Sequence, residues 1–138
     1  MAGFVLDASV YVAALVPVEA HHQTARALIA LVPDDEPILV PSLFRLEVVA
    51  ALARRRVPDH QLRAVEVALD TNRYLATPLD EAWLLAAVGV ARRCALRAYD
   101  AVYAALALQR DATLLTLDEE LRDRLVAGHP EVNVVLRP

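Results

Sequence analysis

The stretch FVLDASVYVAAL, residues 4–15, decides the fold because a strand pattern leads directly into a helix pattern. Its first three residues, FVL (4–6), form the short apolar run that is typical of a buried strand. Asp7 follows at once, and an apolar helix is predicted near 8–16. A strand followed by a helix is the repeating unit of α/β folds built on a parallel sheet.

The same alternation continues along the chain. Further strands are predicted at PILV (37–40), TLLT (113–116) and VNVVL (132–136), with a weaker candidate at RYLAT (73–77). Further helices are predicted near 19–32, 42–56, 59–72, 79–95, 98–110 and 118–127. With 138 residues the chain has the length of one domain. We therefore expect residues 1–138 to form a single α/β domain whose sheet has four or five mainly parallel strands.

Composition limits the classes of function. The net charge of −4 disfavours general nucleic-acid binding, which depends on Lys and Arg contacts to phosphates. All 14 basic residues are Arg, and their clustering leaves local phosphate contacts possible. The single Cys94 suits a reducing compartment, and the longest apolar run, residues 82–91, is too short to span a bilayer. The first residues lack the basic segment of a signal peptide. We expect a cytoplasmic protein without a membrane anchor.

Four of the eighteen acidic residues lie where carboxylates are costly. Glu47, in LFRLEVVAAL, and Asp100, in AYDAVYAALAL, lie in helices that are apolar on nearly every face. Asp7 and Asp118 directly follow predicted strands. Removing a carboxylate from water costs several kcal/mol unless it is paired, protonated or bound to a metal. Most of the other acids have ordinary places in turns and in the first turns of helices.

Each of the four acids also has a structural explanation of varying strength. Asp118 can cap a helix and pair with Arg122, and Asp100 has Arg97 three residues before it. Asp7 can cap the helix that begins near Ser9. Glu47 has no basic residue three or four positions away on its helix, so its purely structural explanation is the weakest.

A single hypothesis explains all four positions together. In an open parallel sheet, ligands bind beyond the carboxyl ends of the strands, which is where Asp7 and Asp118 are expected. Carboxylates and water are the ligands that Mg²⁺ and Mn²⁺ prefer, and such ions activate water for attack on phosphodiesters. Ser9 and Thr116 lie close enough in sequence to orient these carboxylates, although either can equally be a capping residue.

The motifs that carry these acids resemble a known family. The strand ending in D-A-S (4–9), L-E-V-V-A-A-L (46–52), A-Y-D-A-V-Y-A-A-L-A (98–107) and L-L-T-L-D-E-E-L (114–121) are similar to those of the PIN domain. Within that family they resemble the VapC-type ribonuclease toxins of bacterial toxin–antitoxin systems. The resemblance covers essentially the whole chain, in the same order.

The resemblance implies a three-layer α/β/α sandwich and an Mg²⁺- or Mn²⁺-dependent endoribonuclease that hydrolyses RNA with metal-activated water. Asp7, Glu47, Asp100 and Asp118 correspond to the acidic quartet of the family. Asp7 and Asp100 are then the expected direct metal ligands, and Glu47 and Asp118 complete the coordination or hold a second ion. The resemblance also implies a homodimer and a cognate VapB-type antitoxin. The absence of Lys and the acidic net charge depart from the family and weaken the expectation of RNA affinity without metal.

Two other functions compete with this interpretation. The same fold can act as a non-catalytic RNA- or protein-interaction module, although an intact quartet argues against that. An aspartate after the first strand can also be a phosphate-accepting nucleophile, as in receiver domains and haloacid-dehalogenase-like phosphatases. Receivers need a Lys, which the chain lacks, and those phosphatases need an acid where this chain has Ser9. His21 and His22 are adjacent on a predicted helix and point to different faces, so a histidine metal site is not favoured.

The aromatic and apolar residues give two more predictions. Trp83, Tyr99 and Tyr103 are expected to pack inside the protein rather than to stack on bases. The helices at 8–16 and 42–56 carry more apolar surface than a small core needs. That surplus indicates either deeper burial within the domain or an interface with a second copy or an antitoxin helix.

Overall fold

The computed structural model describes residues 3–138, so Met1 and Ala2 of the expected 1–138 domain lie outside the described residues. Within residues 3–138 the chain forms five strands and seven helices. In chain order they are β1 (Phe4–Leu6), α1 (Ala8–Leu15), α2 (His22–Ala30), β2 (Ile38–Pro41), α3 (Phe44–Arg54), α4 (Asp59–Leu69), β3 (Tyr74–Thr77), α5 (Glu81–Cys94), α6 (Ala98–Arg110), β4 (Thr113–Leu115), α7 (Glu119–Gly128) and β5 (Val134–Val135).

The five strands form one sheet in the order β3-β2-β1-β4-β5, and every neighbouring pair is parallel. This confirms the predicted α/β class, and it confirms the weaker strand candidate as β3. Starting from β1, the chain adds β2 and β3 on one side and later β4 and β5 on the other. Because crossovers are right-handed, the helices of the two halves lie on opposite faces of the sheet. Helices α1–α4 accordingly contact one another, and α5–α7 form a second group, which gives the three-layer sandwich.

The core is centred on β1, β4 and α6. Val5, Leu6, Leu114 and Leu115 are fully buried in the two central strands. Residues 101–107 of α6 are all buried, and four of these seven are alanines, so the helix can approach the sheet closely. It contacts β1, β2 and β4. Burial on this scale supplies the main stabilisation of the domain.

The connections carry all four predicted site acids to one edge of the sheet. Asp7 follows β1, Asp118 follows β4, and Glu47 lies in the first turn of α3, just after β2. Helix α6 leads directly into β4 and so runs opposite to the strands, which places Asp100, in its first turn, at the same edge. The carboxyl ends of the strands are therefore where these acids collect.

Several predicted boundaries were wrong by a few residues. The helix expected at 42–56 spans only Phe44–Arg54, and the strand expected at 132–136 is reduced to Val134–Val135. The latter is an edge strand with β4 as its only neighbour in the sheet, which limits its pairing. The helix predicted near 79–95 begins at Glu81, because Asp80 caps α5 by accepting a 2.8 Å hydrogen bond from the Trp83 amide. Among residues 3–138, no helix has the length and apolar character needed to cross a bilayer.

Candidate active site

The site lies where the direction of strand addition reverses, between β1 and β4. The two strands pair in register from Phe4 opposite Thr113 to Leu6 opposite Leu115. Just beyond this pairing, the Asp7 amide donates a 3.0 Å hydrogen bond to the Leu115 carbonyl. A reversal of strand order opens a crevice at the carboxyl ends of the strands, which is the usual ligand position in such sheets.

Asp7 is the most buried of the four acids, with 9% of its surface exposed. It caps α1 by accepting a 3.3 Å hydrogen bond from the Ser9 amide. The hydroxyls of Ser9 and Thr116 also donate to its Oδ2, at 3.0 and 2.8 Å. Burial raises the pKa of Asp7 above its ordinary value; these hydrogen bonds oppose the rise, and repulsion from Asp118 adds to it. The predicted cap and the predicted contacts of both hydroxyls are therefore present.

Glu47 is half-buried and is held by a residue of another helix. Its Oε1 accepts a 2.7 Å hydrogen bond from the Tyr103 hydroxyl of α6. Burial raises the pKa of Glu47, the hydrogen bond from Tyr103 opposes this, and the charges of Asp7 and Asp100 raise it further. The sequence shows no local partner for Glu47 because Tyr103 lies 56 residues away.

Asp100 and Asp118 share one guanidinium. Arg97 donates from Nε to Asp100 and from an Nη atom to Asp118, both at 3.2 Å. Burial and the charge of Asp7 raise the pKa of Asp100, whereas Arg97 lowers it. Asp118 also caps α7 by accepting a 3.0 Å hydrogen bond from the Leu121 amide. The predicted pair of Asp100 with Arg97 is confirmed.

All four acids line one open cleft of about 710 Å³, together with Ser9 and residues of α1, α3 and α6. We call Asp7, Glu47, Asp100 and Asp118 the cleft acids. Their mutual repulsion raises the free energy of the cation-free protein, because Arg97 contacts only two of them. Among residues 3–138, however, no group of three or more His, Cys, Asp or Glu side chains is already arranged to hold a metal ion.

The donor set fits a hard divalent cation. The four cleft acids offer oxygen donors, and two of them, Asp7 and Glu47, have no contact with an arginine among the hydrogen bonds of the described residues. Mg²⁺ is typically held by one or two carboxylates and several waters, so it does not require three protein ligands already in place. Asp7 and Asp100, which line the same cleft, can supply two such ligands.

Several features of the cleft were not predicted from the sequence. Among them are the Tyr103–Glu47 hydrogen bond, the second contact of Arg97, and the positions of Arg54 and Tyr99 in the wall of the cleft. All of them are contacts or exposures set by tertiary packing. The sequence indicates only that the helix ends carrying the acids lie at the edge of the sheet; it does not indicate which side chains meet there.

Two predictions about individual residues were wrong. Tyr99 is 62% exposed and does not pack inside the protein, whereas Trp83 and Tyr103 are buried as expected. Arg122 pairs with the neighbouring Asp123, so it is Arg97 that contacts Asp118. Tyr99 lies in the first turn of α6, before the buried stretch that begins at Ala101.

The two helices predicted to carry surplus apolar surface, at 8–16 and 42–56, differ in how far the domain buries them. Helix α1 is largely buried in the same domain, from Val10 to Ala13. Helix α3 retains an exposed side chain, since Leu46 has 70% of its surface in solvent. Burial thus explains the first segment but not the whole of the second.

Comparison with known proteins gives a family and a fold. A sequence profile of the PIN domain matches residues 4–124, whereas a search of functionally curated proteins finds no match. The structure is similar to VapC20 of Mycobacterium tuberculosis, described as a sarcin-ricin loop cleaving toxin, with 21% identity, a TM-score of 0.75 and coverage of 98% of this chain and 99% of the other.

Two further solved structures share the fold. VapBC2 of Rickettsia felis, bound to a DNA fragment from its promoter, has 13% identity, a TM-score of 0.71 and coverage of 96% and 97%. A toxin–antitoxin complex of Klebsiella pneumoniae has 18% identity, a TM-score of 0.70 and coverage of 95% and 94%. The profile match over residues 4–124 spans most of the strands and helices described above and all four cleft acids. The chain belongs to the PIN-domain family.

Proposed function

We propose that this protein is a metal-dependent endoribonuclease toxin that acts in the cytoplasm and is neutralised by a cognate VapB-type antitoxin. The observation that carries the proposal is the meeting of the four cleft acids in one pocket at the switch point of the sheet. Three of these acids have pKa values raised by burial, and carboxylates in such surroundings are frequent at functional sites.

Each residue of the cleft has a distinct role in this proposal. Asp7 and Asp100 would hold Mg²⁺ or Mn²⁺ directly, and Glu47 and Asp118 would complete the coordination through water or hold a second ion. The bound ion would supply activation of a water molecule and charge stabilisation at the phosphorus. The Thr116 hydroxyl fixes the orientation of Asp7, as the Tyr103 hydroxyl in turn fixes Glu47.

The proposed substrate is RNA, with products that carry a 5′-phosphate and a 3′-hydroxyl. Support comes from the PIN family and from the similar VapC20, which is described as a sarcin-ricin loop cleaving toxin. No Ser, Thr or Cys is needed as a covalent nucleophile, because water is the attacking group in this chemistry.

The proposed partners are an antitoxin and a second copy of the chain. Two of the similar structures are complexes of a toxin with its antitoxin. Exposed apolar side chains support association: Leu84, Leu85 and Val88 lie within one turn of α5, and Leu46 is exposed on α3. Single exposed apolar residues are common, but a group of three on one helix is typical of an interface.

The proposal is tested by cleavage of RNA with purified, antitoxin-free protein. Cleavage should require Mg²⁺ or Mn²⁺ and should stop in EDTA. Asp7→Asn and Asp100→Asn should abolish cleavage while the protein remains folded. The matched control is Asp35→Asn, which makes the same change in an exposed turn and should leave the rate unchanged.

Cleavage that continues in chelator would contradict the metal-dependent chemistry. RNA binding without any cleavage, at all divalent ions tried, would instead favour a non-catalytic interaction module. A phosphorylated Asp7 recovered after incubation with a phosphate donor would favour the aspartate-nucleophile alternative.

A further inference from the structure

Tyr99 is an exposed aromatic side chain beside the cleft acids. It lies in the wall of the cleft directly before Asp100, and 62% of its surface is in solvent. Tyr103, one turn further along the same face of α6, is 1% exposed and donates to Glu47. The same helix face therefore presents one tyrosine to a carboxylate inside the protein and the other to the open part of the cleft.

The remainder of the cleft has the composition that a nucleotide requires. Its acids can hold a cation for a phosphate, while apolar side chains of α1, including Val12 and Ala13, line it next to them. Arg54, at the last turn of α3, lies on the wall with its side chain exposed. A planar ring, apolar surface and a guanidinium beside a phosphate site match the base, the sugar and the neighbouring phosphate of one nucleotide.

We propose that Tyr99 is a stacking platform for an unpaired base of the RNA, next to the phosphodiester held at the cleft acids. The inference rests on the proposed endoribonuclease function and adds a specific subsite to it. Single-stranded RNA is recognised mainly through bases that are splayed out and stacked on aromatic side chains. Stacking tolerates any base, so Tyr99 positions the strand without dictating its sequence.

Substitutions at Tyr99 distinguish a stacked RNA base from a ligand that depends on the tyrosine hydroxyl. A stacked base needs the aromatic ring but not the hydroxyl, so Tyr99→Phe should retain binding and Tyr99→Ala should lose it. Stacking also requires that the RNA nucleotide next to Tyr99 carries its base. Removal of that single base should therefore have the same effect as removal of the ring.

The experiment uses a short single-stranded RNA that the wild-type protein cleaves, labelled with a fluorophore. Binding is measured by anisotropy with full-length Asp7→Asn protein in Mg²⁺, with and without Tyr99→Ala or Tyr99→Phe. A set of RNAs carries one abasic nucleotide at successive positions. Val67→Ala, which truncates an exposed apolar side chain outside the cleft, is the matched control.

We expect Tyr99→Ala to weaken binding of the intact RNA by roughly 5- to 150-fold, the range for loss of one base–aromatic stack. Tyr99→Phe and Val67→Ala should remain close to the parent. At one abasic position, the parent should lose affinity by the same factor, and Tyr99→Ala should then have no further effect. In the cleaving protein, Tyr99→Ala should raise KM more than it lowers kcat.

Three results would overturn the proposal. The first is unchanged RNA binding by Tyr99→Ala; the second is an equal loss on intact RNA and on every abasic RNA. The third is a difference in oligomer mass, measured by light scattering, between Tyr99→Ala and its parent. Such a difference would show that Tyr99 contacts a second copy of the chain. The wild-type cleavage assay is independent of all three, so loss of the subsite and loss of the nuclease function give different results.

Discussion

Replacing Thr116 by Val tests whether Asp7 is held as an ionised carboxylate. The Thr116 side chain is fully buried; its hydroxyl donates to Asp7 at 2.8 Å and accepts from the Asp118 amide at 3.2 Å. Valine has nearly the same shape and removes both hydrogen bonds. A hydrogen bond to a charged group contributes about 1.5–3 kcal/mol, and one between neutral groups about 0.5–1.5 kcal/mol. The variant should therefore lose about 2–4 kcal/mol of unfolding free energy at neutral pH.

The loss should depend on pH with a defined sign. The hydrogen bond from Thr116 lowers the pKa of Asp7, so its extra stabilisation exists only while Asp7 is ionised. As the pH falls through the pKa of Asp7, that contribution decreases to that of a neutral hydrogen bond, and the loss should shrink by roughly 1 kcal/mol.

The assay is urea unfolding in chelator, followed by circular dichroism at neutral pH and at a pH below 3.8, the ordinary value for an aspartate. Thr77→Val, at the half-buried carboxyl end of β3, is the control for the same change at another strand end. A loss below about 1 kcal/mol at neutral pH, or an equal loss at both pH values, would refute the idea that Thr116 stabilises the ionised form of Asp7.

Three further predictions concern charge and packing. Asp7→Asn should gain stability relative to the wild type, in chelator, as the pH rises through the raised pKa of Asp7, because the folded wild type favours the protonated acid; parallel pH profiles of unfolding free energy would contradict this. Arg97→Gln should bind Mn²⁺ severalfold more tightly in titration calorimetry, since the guanidinium competes with a cation for the two carboxylates that it bridges; weaker binding would show that Arg97 organises the site. Gly128→Ala should cost about 1–3 kcal/mol in urea unfolding, because a Cβ would lie 2.5 Å from the Cys94 sulfur, and Cys94→Ala in the same chain should recover part of the loss.

The sequence alone predicts that the four cleft acids meet at one edge of the sheet, and the structure places them in one cleft there. Asp7 and Asp118 follow strands that are recognisable as short apolar runs, and parallel strands end at one edge of the sheet. Glu47 stands out because a carboxylate without a local partner is costly in an apolar helix. Spacing along the chain and the cost of removing a carboxylate from water are enough to single out these residues.

The contacts that arrange these acids cannot be read in the same way. The hydroxyl that holds Glu47 comes from 56 residues away, and the same arginine that pairs with Asp100 also reaches Asp118, 21 residues away. Tyr99 and Tyr103 look equivalent by spacing, yet only Tyr103 is covered by tertiary structure. Local patterns predict which residues need a partner, whereas packing decides which partner each one finds.

The hydrogen bond between Thr116 and Asp7 joins residues that are 109 positions apart. A nascent chain that has not yet produced β4 contains Asp7, Glu47 and Asp100 but lacks the hydroxyl that orients the first of them and the fourth carboxylate beside it. Contacts of such long range form late, after most of the loop-closure entropy has been lost. The proposed nuclease centre would thus be assembled only once translation has passed the turn that joins β4 to α7.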